Sequence, residues 1–380
     1  MPYITIPIKP KEYQISFDDI LNGVSETVFD RQSENTYDTK TVWRTTTPKR
    51  LLENIKINEM LNAIRTFNAK YKHLIDTEDK STLYRSFKIP KRSGGLRQID
   101  APEDELMLAL RELKFLFEKK LFASYHTAAF AYVKGRCTID AVKRHQRNNS
   151  RWFLKLDFSN FFGSTTIDFV MSQLKNMFPY NELIAFGGEA DLRTALSLCF
   201  LNGGLPQGTP ISPTITNLMM IPIDHAISKA MRERTPHIIY TRYADDLLLS
   251  SDISFKWSDV QQEIIDILKK FNAPFSLNTT KTRYGSSAGR NWNLGVMLNK
   301  DNQITIGHQK KKAFKAMLFS IINDYKNGII WSVEDAQVLG GLISYYIMVE
   351  EQPIKKIIAD YSTKYNTDVF AIIKEILRQA

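Results

Sequence analysis

This 380-residue chain has few cysteines, no long apolar run and no leader-like N-terminus. Its two cysteines, Cys137 and Cys199, form no C-x-x-C pattern, so we expect buried thiols in a protein of a reducing compartment. His126 and His145 belong to no metal-ligand pattern of His, Cys and carboxylate, so we expect structural roles. No stretch approaches eighteen consecutive apolar residues, and the N-terminus lacks a basic region followed by an apolar core. These absences predict a cytoplasmic protein with no membrane partner.

The chain has a positive net charge and an ordinary share of apolar residues. Hydrophobic residues make up 43% of it, enough for a sizeable core, and its length favours two or three packed subdomains. The formal net charge is +10 and the sequence pI is about 9.3, which favours a polyanionic partner. Since no apolar span is present, nucleic acid is favoured over a membrane surface. No internal repeat or low-complexity tract is visible.

The segment His237–Ser251 predicts a β-hairpin with two carboxylates at its turn. It reads H-I-I-Y-T-R-Y-A-D-D-L-L-L-S-S, with strand-forming residues on both sides of Asp245 and Asp246. Holding two carboxylates side by side raises the pKa of one of them unless a cation binds, so the turn suits a divalent metal. A solvated Asp-Asp turn between ordinary strands is the alternative, and the hairpin alone does not decide between them.

A further carboxylate is predicted at the end of another strand. Trp152, Leu154 and Leu156 alternate with the residues between them, which indicates a strand that ends at Asp157. Burying this carboxylate unpaired is costly, so it needs a functional cation or, more simply, a salt bridge or a turn N–H group. From there to a strand at 275–284, which contains Lys281, the order is β-α-β-β-α-β. This ferredoxin-like order brings Asp157 beside the Asp245–Asp246 turn.

Other segments suit a polyanionic ligand, each with a plainer alternative. Residues 84–102 predict a basic hairpin that could grip a triphosphate, although a solvated turn explains the hairpin alone better. Residues 202–218 predict a loop rich in Gly and Pro, followed by a helix capped by Ser212 with Pro213 at its first position. The loop lets a ligand approach the backbone or is merely a connection. A basic helix near His308 suits a nucleic-acid backbone or solvent equally.

Taken together, these segments resemble a reverse transcriptase over about residues 84–365. The resemblance rests on I-P-K-R-S-G-G-L-R (89–97), L-D-F-S-N-F-F (156–162), G-L-P-Q-G-T-P-I-S-P (204–213), Y-A-D-D (243–246), S-L-N-T-T-K-T (276–282) and N-L-G-V-M-L-N (293–299). The Y-A-D-D and L-P-Q-G motifs, in this order and at this spacing, are highly specific. L-G-G-L-I-S-Y-Y (339–346) and I-I-A-D-Y-S-T-K-Y (357–365) resemble the thumb of bacterial members.

The resemblance implies an α+β right-hand polymerase with fingers, a ferredoxin-like palm and a helical thumb. The expected division is an N-terminal helical extension at 1–80, fingers at 81–150, a palm at 151–300 with a fingers segment near 163–212, and a thumb at 301–380. Helical periodicity in the extension is confined to about Thr47–Tyr71, and its sequence indicates no function.

The resemblance also implies roles for single residues. The metal set is Asp157, Phe158, Asp245 and Asp246, which would hold two Mg²⁺ ions, with Mn²⁺ as a substitute. The catalytic set is the three aspartates together with Lys281, a candidate for protonating pyrophosphate. The nucleotide-binding set is Lys91, Arg97, Phe158, Phe162, Gln207, Gly208 and Tyr243. In that set the two basic side chains grip phosphates and Phe162 excludes a 2′-hydroxyl. Leu294 and Gly295 would form the primer grip.

Among bacterial members, a stand-alone retron-like or phage-defence-associated enzyme fits best. Y-V-K-G-R followed by A-x-x-x-H resembles retron enzymes, although their A-x-x-H is one residue shorter and their V-T-G stands here as N-L-G. Group II intron enzymes continue into a maturase region, and diversity-generating enzymes usually carry G-x-x-x-S-Q where this chain has Q-G-T-P-I-S-P. The antiviral defence role rests on analogy alone.

The expected partners are an RNA template of the non-coding type, dNTPs, a DNA product, an accessory or toxin protein, and a second copy of the chain. Two alternatives to primed RNA copying stay open. One is template-independent or protein-primed DNA synthesis. The other is a non-catalytic RNA-binding or partner-binding module, which the intact set of Asp157, Asp245 and Asp246 disfavours.

Overall fold

The computed structural model describes residues 26–33, 36–42, 57–90, 94–121, 124–287 and 292–378. Its first half contains β1 (Glu26–Ser33), β2 (Thr36–Val42), α1 (Ile57–Lys70), α2 (Lys72–Ile75), β3 (Tyr84–Pro90), β4 (Leu96–Pro102), α3 (Asp104–Lys119), α4 (Thr138–Arg147), β5 (Trp152–Asp157), α5 (Phe161–Ser164), α6 (Ile167–Leu174), α7 (Tyr180–Leu183) and α8 (Glu189–Ser197). Its second half contains α9 (Ser212–Met219), α10 (Ile221–Glu233), β6 (Ile239–Tyr243), β7 (Asp246–Ser251), α11 (Trp257–Lys270), β8 (Arg283–Ser286), β9 (Trp292–Asn293), β10 (Val296–Leu298), β11 (Ile304–Thr305), α12 (His308–Lys326), α13 (Val333–Val349), α14 (Glu351–Tyr365) and α15 (Val369–Arg378).

The central sheet has four antiparallel strands in the order β6–β7–β5–β8. The first strand of the predicted β-α-β-β-α-β unit, β5, is therefore central, and it pairs with both β7 and β8. This is the ferredoxin-like arrangement that the sequence predicts. The α+β fold class is confirmed.

The two faces of the sheet differ because side chains alternate along each strand. Leu154 and Leu156 of β5 lie opposite Leu249 and Leu247 of β7, and all four are buried in one large cluster with α9, α10 and α11. Burying each such leucine contributes about 1.5–3 kcal/mol. Residues at odd positions of β5 point to the other face. Asp157 is therefore on the face that lies away from these helices.

The N-terminal part differs from the predicted helical extension. β1 and β2 form a two-stranded antiparallel hairpin, which the sequence analysis did not foresee. The helical periodicity corresponds to α1, while residues 43–56 lie outside the described part of the chain. Met60, Leu61, Ile64 and Phe67 of α1 are buried in the same cluster as the central sheet. Helix α1 therefore shares the hydrophobic core of the central sheet.

The C-terminal helices α12–α15 have a hydrophobic cluster of their own. Lys311 of α12 binds Glu350 at 2.6 Å, which ties the start of α12 to the end of α13. The turn between β10 and β11, which precedes the bundle, is joined to α4 through Asn302, whose Nδ2 donates to the carbonyl of Gln146 at 2.8 Å. Within the described residues, no helix is long and apolar enough to cross a membrane.

Three local predictions are corrected by the structure. Lys281 lies in a 3₁₀ turn, Thr279–Lys281, because the side chain of Asn278 accepts a hydrogen bond from the backbone N–H of Thr280; it is not in a strand. Ser212 is inside α9 rather than its cap, and the hydroxyl of Thr209 accepts its N–H at 3.2 Å. Of the cysteines, Cys199 is buried as expected, but Cys137 is only half-buried.

Candidate active site

The two-carboxylate hairpin forms as predicted between β6 and β7. Tyr243 pairs with Asp246, so Ala244 and Asp245 are the two residues of the turn. Ala244 has φ 58, and tight hairpin turns of this length require a positive φ at their first residue. Asp246 lies directly opposite Asp157 on β5, and the N–H of Phe158 donates to the carbonyl of Asp245 at 3.0 Å. The sheet thus brings all three aspartates to one edge.

A buried ion pair holds this turn in place. Arg242 and Asp224 of α10 are both fully buried, and the guanidinium binds the carboxylate through Nε at 2.9 Å and through one terminal nitrogen at 2.7 Å. The Tyr240 hydroxyl donates to the same carboxylate at 2.7 Å, and Arg242 also donates to the carbonyl of Ala244 at 3.2 Å. Breaking such a pair costs about 3–5 kcal/mol because one charge stays buried without its partner. The turn is therefore rigidly attached to α10.

Two lysines neutralise the aspartates at the sheet edge. The ammonium group of Lys281 donates to both carboxylate oxygens of Asp157, at 2.8 and 3.0 Å. Lys155, from the same face of β5, lies 3.2 Å from an oxygen of Asp246. The hydrogen bond to Asp157 raises the pKa of Lys281 above its ordinary value, and the negative charges of the three aspartates add to this increase. The site attracts cations.

The carboxyl of Asp245 combines burial with the nearby charges of two other aspartates. Burial raises the pKa of its carboxyl above the ordinary value, and the charges of Asp246 and Asp157 raise it further, against the effects of a backbone hydrogen bond and Lys281. Nearby positive charge stabilises the ionised form of such a set of carboxylates. In this structure the two lysines provide part of it.

The residues at this edge fit a metal, but their side chains are not arranged around one. In the described part of the chain, no group of three or more His, Cys, Asp or Glu side chains forms a metal site. The ammonium groups of Lys281 and Lys155 lie on two of the three carboxylates, those of Asp157 and Asp246. Carboxylate oxygens are the ligands that Mg²⁺ prefers. The donor set therefore suits a hard divalent cation that replaces the lysines.

A cavity of about 230 Å³ opens beside Asp245 and collects most of the predicted nucleotide-binding residues. Its walls come from β4, from the loop before α9 and from the segment after β5. Its lining residues are Arg97, Ile99, Tyr132, Phe162, Pro206, Gln207, Gly208, Thr209, Ser212, Pro213 and Asp245. A guanidinium, an aromatic ring and a carboxylate thus surround one space. This combination suits a ligand with phosphates and a sugar.

The Gly-rich loop is docked against β4 and the segment after β5. The N–H of Asp100 donates to the carbonyl of Gln207 at 2.8 Å. Gly208 has φ 125, and a Cβ there would lie 2.9 Å from the carbonyl oxygen of Asp100. A Cβ on Gly204 would lie 2.1 Å from the oxygen of Gly163, an approach that only glycine allows. The two glycines therefore permit the contacts that shape the cavity.

Two further residues of the predicted nucleotide-binding set, Phe158 and Tyr243, do not line the cavity. The ring of Phe158 is buried among Phe161 and Phe275, so only its backbone can reach a ligand. Tyr243 is half-buried at the base of the turn and is not part of the cavity wall. Lys91 lies outside the described residues.

The predicted primer-grip residues form a turn between β9 and β10. Leu294 has φ 53 and Gly295 has φ 87, the two positive values that a type I′ turn requires. The ammonium group of Lys310 in α12 donates to the carbonyl of Gly295 at 2.7 Å. The turn is thereby fixed to the first helix of the C-terminal bundle.

Sequence reasoning missed four residues at this site. Tyr132 lines the cavity, Lys155 binds Asp246, and Asp224 with Arg242 anchors the turn. The R-Y-A-D-D sequence could have pointed to Arg242, because a charged residue inside an apolar strand needs a buried partner. The same signal is present for Lys155, a charged residue in β5 two positions before Asp157. Tyr132 and Asp224 come from distant parts of the chain and carry no local signal.

A ferredoxin-like sheet with aspartates at adjacent strand ends, beside a cavity that Arg97 lines, is the arrangement expected of a nucleotidyl-transfer site of the polymerase type. Residues 89–316 match the family described as "Reverse transcriptase (RNA-dependent DNA polymerase)". The match covers more than half of the chain, and the chain belongs to this family. It is an RNA-directed DNA polymerase with the right-hand fold, which uses an RNA template and makes a DNA product. Enzymes of this family use divalent metal ions.

Curated relatives agree with this assignment. The chain is 29% identical over 304 residues to the Escherichia coli protein "Retron Ec83 reverse transcriptase", an alignment that covers 78% of this chain and 91% of the relative. It is 26% identical over 303 residues to "Retron Ec73 reverse transcriptase", also from Escherichia coli, covering 77% and 89%. The prediction of a retron-like bacterial reverse transcriptase is confirmed.

Solved structures with some likeness include telomerase from Candida albicans in complex with a fragment of telomeric RNA. That match has a TM-score of 0.41 and 13% identity, and it covers 78% of this chain and 61% of the telomerase chain. Apo telomerase from Candida tropicalis gives a TM-score of 0.42 at 13% identity, covering 69% and 53%. The chain thus spans less than two thirds of either telomerase.

Proposed function

We propose that this protein adds dNTPs to a primer on an RNA template by two-metal phosphoryl transfer at the sheet edge of β5 and β7. The observation that carries the proposal is the shared cavity, in which Arg97, Phe162 and the Gln207–Gly208 loop surround the same space as Asp245. A triphosphate needs cations, and a sugar needs a shaped apolar wall. Both are present within reach of the aspartates.

Asp157, Asp245 and Asp246, with the backbone of Phe158, would hold two Mg²⁺ ions, for which Mn²⁺ could substitute. Bound there, the ions would lower the pKa of the primer 3′-hydroxyl and stabilise the charge that develops on the leaving pyrophosphate. Arg97 would hold the triphosphate through two parallel hydrogen bonds, with Lys91 as a second cation. Phe162 would lie under the sugar and exclude a 2′-hydroxyl.

Lys281 has a contact that suits a role in proton handling. Its ammonium group lies on Asp157, and a lysine is protonated at neutral pH because its ordinary pKa is about 10.4. A protonated lysine beside the aspartates could donate a proton to the leaving pyrophosphate. Leu294 and Gly295, fixed by Lys310, would position the primer strand.

Of the division predicted from the sequence, the thumb is the part that the packing supports. We assign fingers to 81–150, palm to 151–300 with a fingers segment near 163–212, and thumb to 301–380. The thumb assignment is supported by the separate hydrophobic cluster of α12–α15. In residues 1–80, α1 shares the main core, so this region would support the fingers and palm rather than act alone.

The biological setting is proposed from the curated relatives, which are named as retron reverse transcriptases. The native template would be a non-coding RNA, and the protein would act in the bacterial cytoplasm within a retroelement or antiphage defence system. An accessory or toxin protein and a second copy of the chain are candidate partners.

The test is extension of a labelled DNA primer on an RNA template with all four dNTPs and Mg²⁺, in parallel with reactions that lack primer or template. Template-dependent extension that stops when Mg²⁺ is chelated is the expected result. Product that appears without template, or that is covalently attached to the protein, would instead establish template-independent or protein-primed synthesis. RNA binding without any nucleotide incorporation would contradict the proposal.

A further inference from the structure

Tyr132 is an exposed aromatic residue held in a costly backbone conformation at the cavity. Its φ is 60, in the left-handed region, where bulky residues are rare and cost about 1–3 kcal/mol. It is 60% exposed, so packing in the core does not repay this cost. Strain of this kind concentrates at sites where a side chain must point in one direction.

The segment before Tyr132 is fixed to the same strand that carries the catalytic turn. The N–H of Arg242 donates to the carbonyl of Ala128 at 2.7 Å, and the N–H of Phe130 donates to the carbonyl of Arg242 at 2.9 Å. The side chain of Asn217 in α9 donates to the carbonyl of Ala131 at 2.9 Å. Tyr132 is therefore positioned from β6 and from α9, while its ring lies outside the core.

The ring faces the charged groups of the proposed nucleotide site. Tyr132 lines the cavity together with Arg97 and Asp245. Partial desolvation by nearby protein raises the pKa of Tyr132 even though the residue is 60% exposed, the charge of Asp245 raises it further, and Arg97 acts in the opposite direction. The phenol thus lies within electrostatic reach of both the phosphate-binding cation and a metal-binding carboxylate. A phenol offers an apolar ring for a sugar and a hydroxyl that can donate to a phosphate oxygen.

We propose that Tyr132 binds the incoming dNTP, with its ring and hydroxyl on the sugar–triphosphate part between Arg97 and Asp245. This inference rests on the proposed function of the cavity. It adds a second segment of the fingers, between α3 and α4, to the binding residues of β4 and of the palm. The free energy that the backbone conformation of Tyr132 costs is offset by the benefit of holding its ring in one position for the dNTP.

The test is steady-state incorporation of one dNTP on a primed RNA template by the full-length protein, with Tyr132→Phe and Tyr132→Gly. Removing the hydroxyl should raise the KM for dNTP by at least about tenfold, the effect of one hydrogen bond to a charged group. Glycine removes the ring as well and should raise the KM for dNTP further. The KM for primer–template should stay within about twofold in both variants.

Glycine also separates binding from folding, because it adopts a positive φ at no steric cost. Tyr132→Gly should therefore melt no earlier than the wild type while binding dNTP less well. The matched control is Tyr325→Phe, since Tyr325 is an exposed thumb tyrosine whose hydroxyl donates to Glu375 at 2.7 Å. It should leave both KM values unchanged.

Wild-type activity with an unchanged KM for dNTP in both variants would overturn the role of Tyr132 alone. A raised KM for primer–template instead would assign the residue to nucleic-acid binding and overturn it as well. A wild-type protein without any incorporation would overturn the proposed function, and the inference with it.

Discussion

Phe162 forms one wall of the cavity with a ring whose position is set by its neighbours. It packs edge-to-face against Phe161 at a centroid distance of 5.7 Å, and Phe161 stacks on the buried Phe158 at 5.2 Å. Phe275 packs against both of these rings. The wall is therefore backed by a buried aromatic cluster and cannot easily move aside for a larger sugar.

We predict that Phe162→Ala will increase the use of ribonucleotides. The smaller side chain leaves room for a 2′-hydroxyl, so discrimination between dNTP and rNTP should fall by at least about tenfold, or about 1.4 kcal/mol. The measurement is kcat/KM for matched dNTP and rNTP on one primed RNA template. Phe319→Ala in α12, which removes an exposed thumb ring, is the control and should keep the original ratio. An unchanged ratio in Phe162→Ala would show that another group excludes ribonucleotides.

At the scale of elements, a buried histidine joins α4 to the two strands of the catalytic hairpin. His145 is fully buried, and its ring nitrogens lie 2.6 Å from the hydroxyl of Ser250 in β7 and 2.7 Å from that of Thr241 in β6. Burial lowers the pKa of His145 to about 3. The structural role predicted for this residue is confirmed, since both nitrogens bind hydroxyl groups.

This contact makes stability depend on pH. The unfolded chain takes up a proton on His145 near pH 6.5, while the folded protein does not until about pH 3, so folding loses stability as pH falls below 6.5. The loss is about 1.4 kcal/mol per pH unit for one such histidine. We expect the melting temperature of the wild type to fall between pH 7.5 and pH 5.5, and that of His145→Gln to fall less. Equal slopes in the two proteins would contradict this account.

How far the site could be read from sequence depends on how local its parts are. The Y-A-D-D turn and the strand ending at Asp157 are encoded within short segments, and the β-α-β-β-α-β order was enough to place them together. Tyr132 could not be found this way, since it reaches the cavity through hydrogen bonds between segments far apart in the chain. The sequence pattern predicts a strand through Lys281. The structure has a turn there because the side chain of Asn278 accepts a hydrogen bond from the chain, and a pattern of alternating residues does not reveal such a contact.

At the scale of the whole molecule, the positive net charge and the lysines of the thumb suit binding of nucleic acid. The net charge of +10 favours a polyanion, and α12 carries exposed lysines, including Lys312 and Lys315. Lys310 and Lys311 of the same helix instead contact the chain itself, at the carbonyl of Gly295 and at Glu350. The exposed pair is therefore the better candidate for phosphate contacts.

We predict that reversing Lys312 and Lys315 to Glu will weaken primer–template binding by at least about tenfold at moderate salt. Each lost phosphate contact should also reduce the salt dependence of log K by about one. The measurement is the equilibrium Kd over a range of salt concentrations. The matched control is reversal of Lys269 and Lys270 to Glu. These exposed lysines lie on α11, in the helical layer that covers the face of the central sheet away from Asp157. If the two pairs of substitutions weaken primer–template binding equally, α12 contributes only non-specific positive charge.

The account as a whole depends on the carboxylates at the edge of the central sheet. Asp245→Asn keeps the size of the side chain in the turn and removes one negative charge from the three aspartates. The direct measurement is single-turnover incorporation of one dNTP on a primed RNA template with Mg²⁺, alongside primer–template binding by the same protein. We expect incorporation to fall by at least about a thousandfold, or about 4 kcal/mol in the barrier, with binding within a few-fold of wild type. Incorporation at the wild-type rate would contradict the assignment of this site.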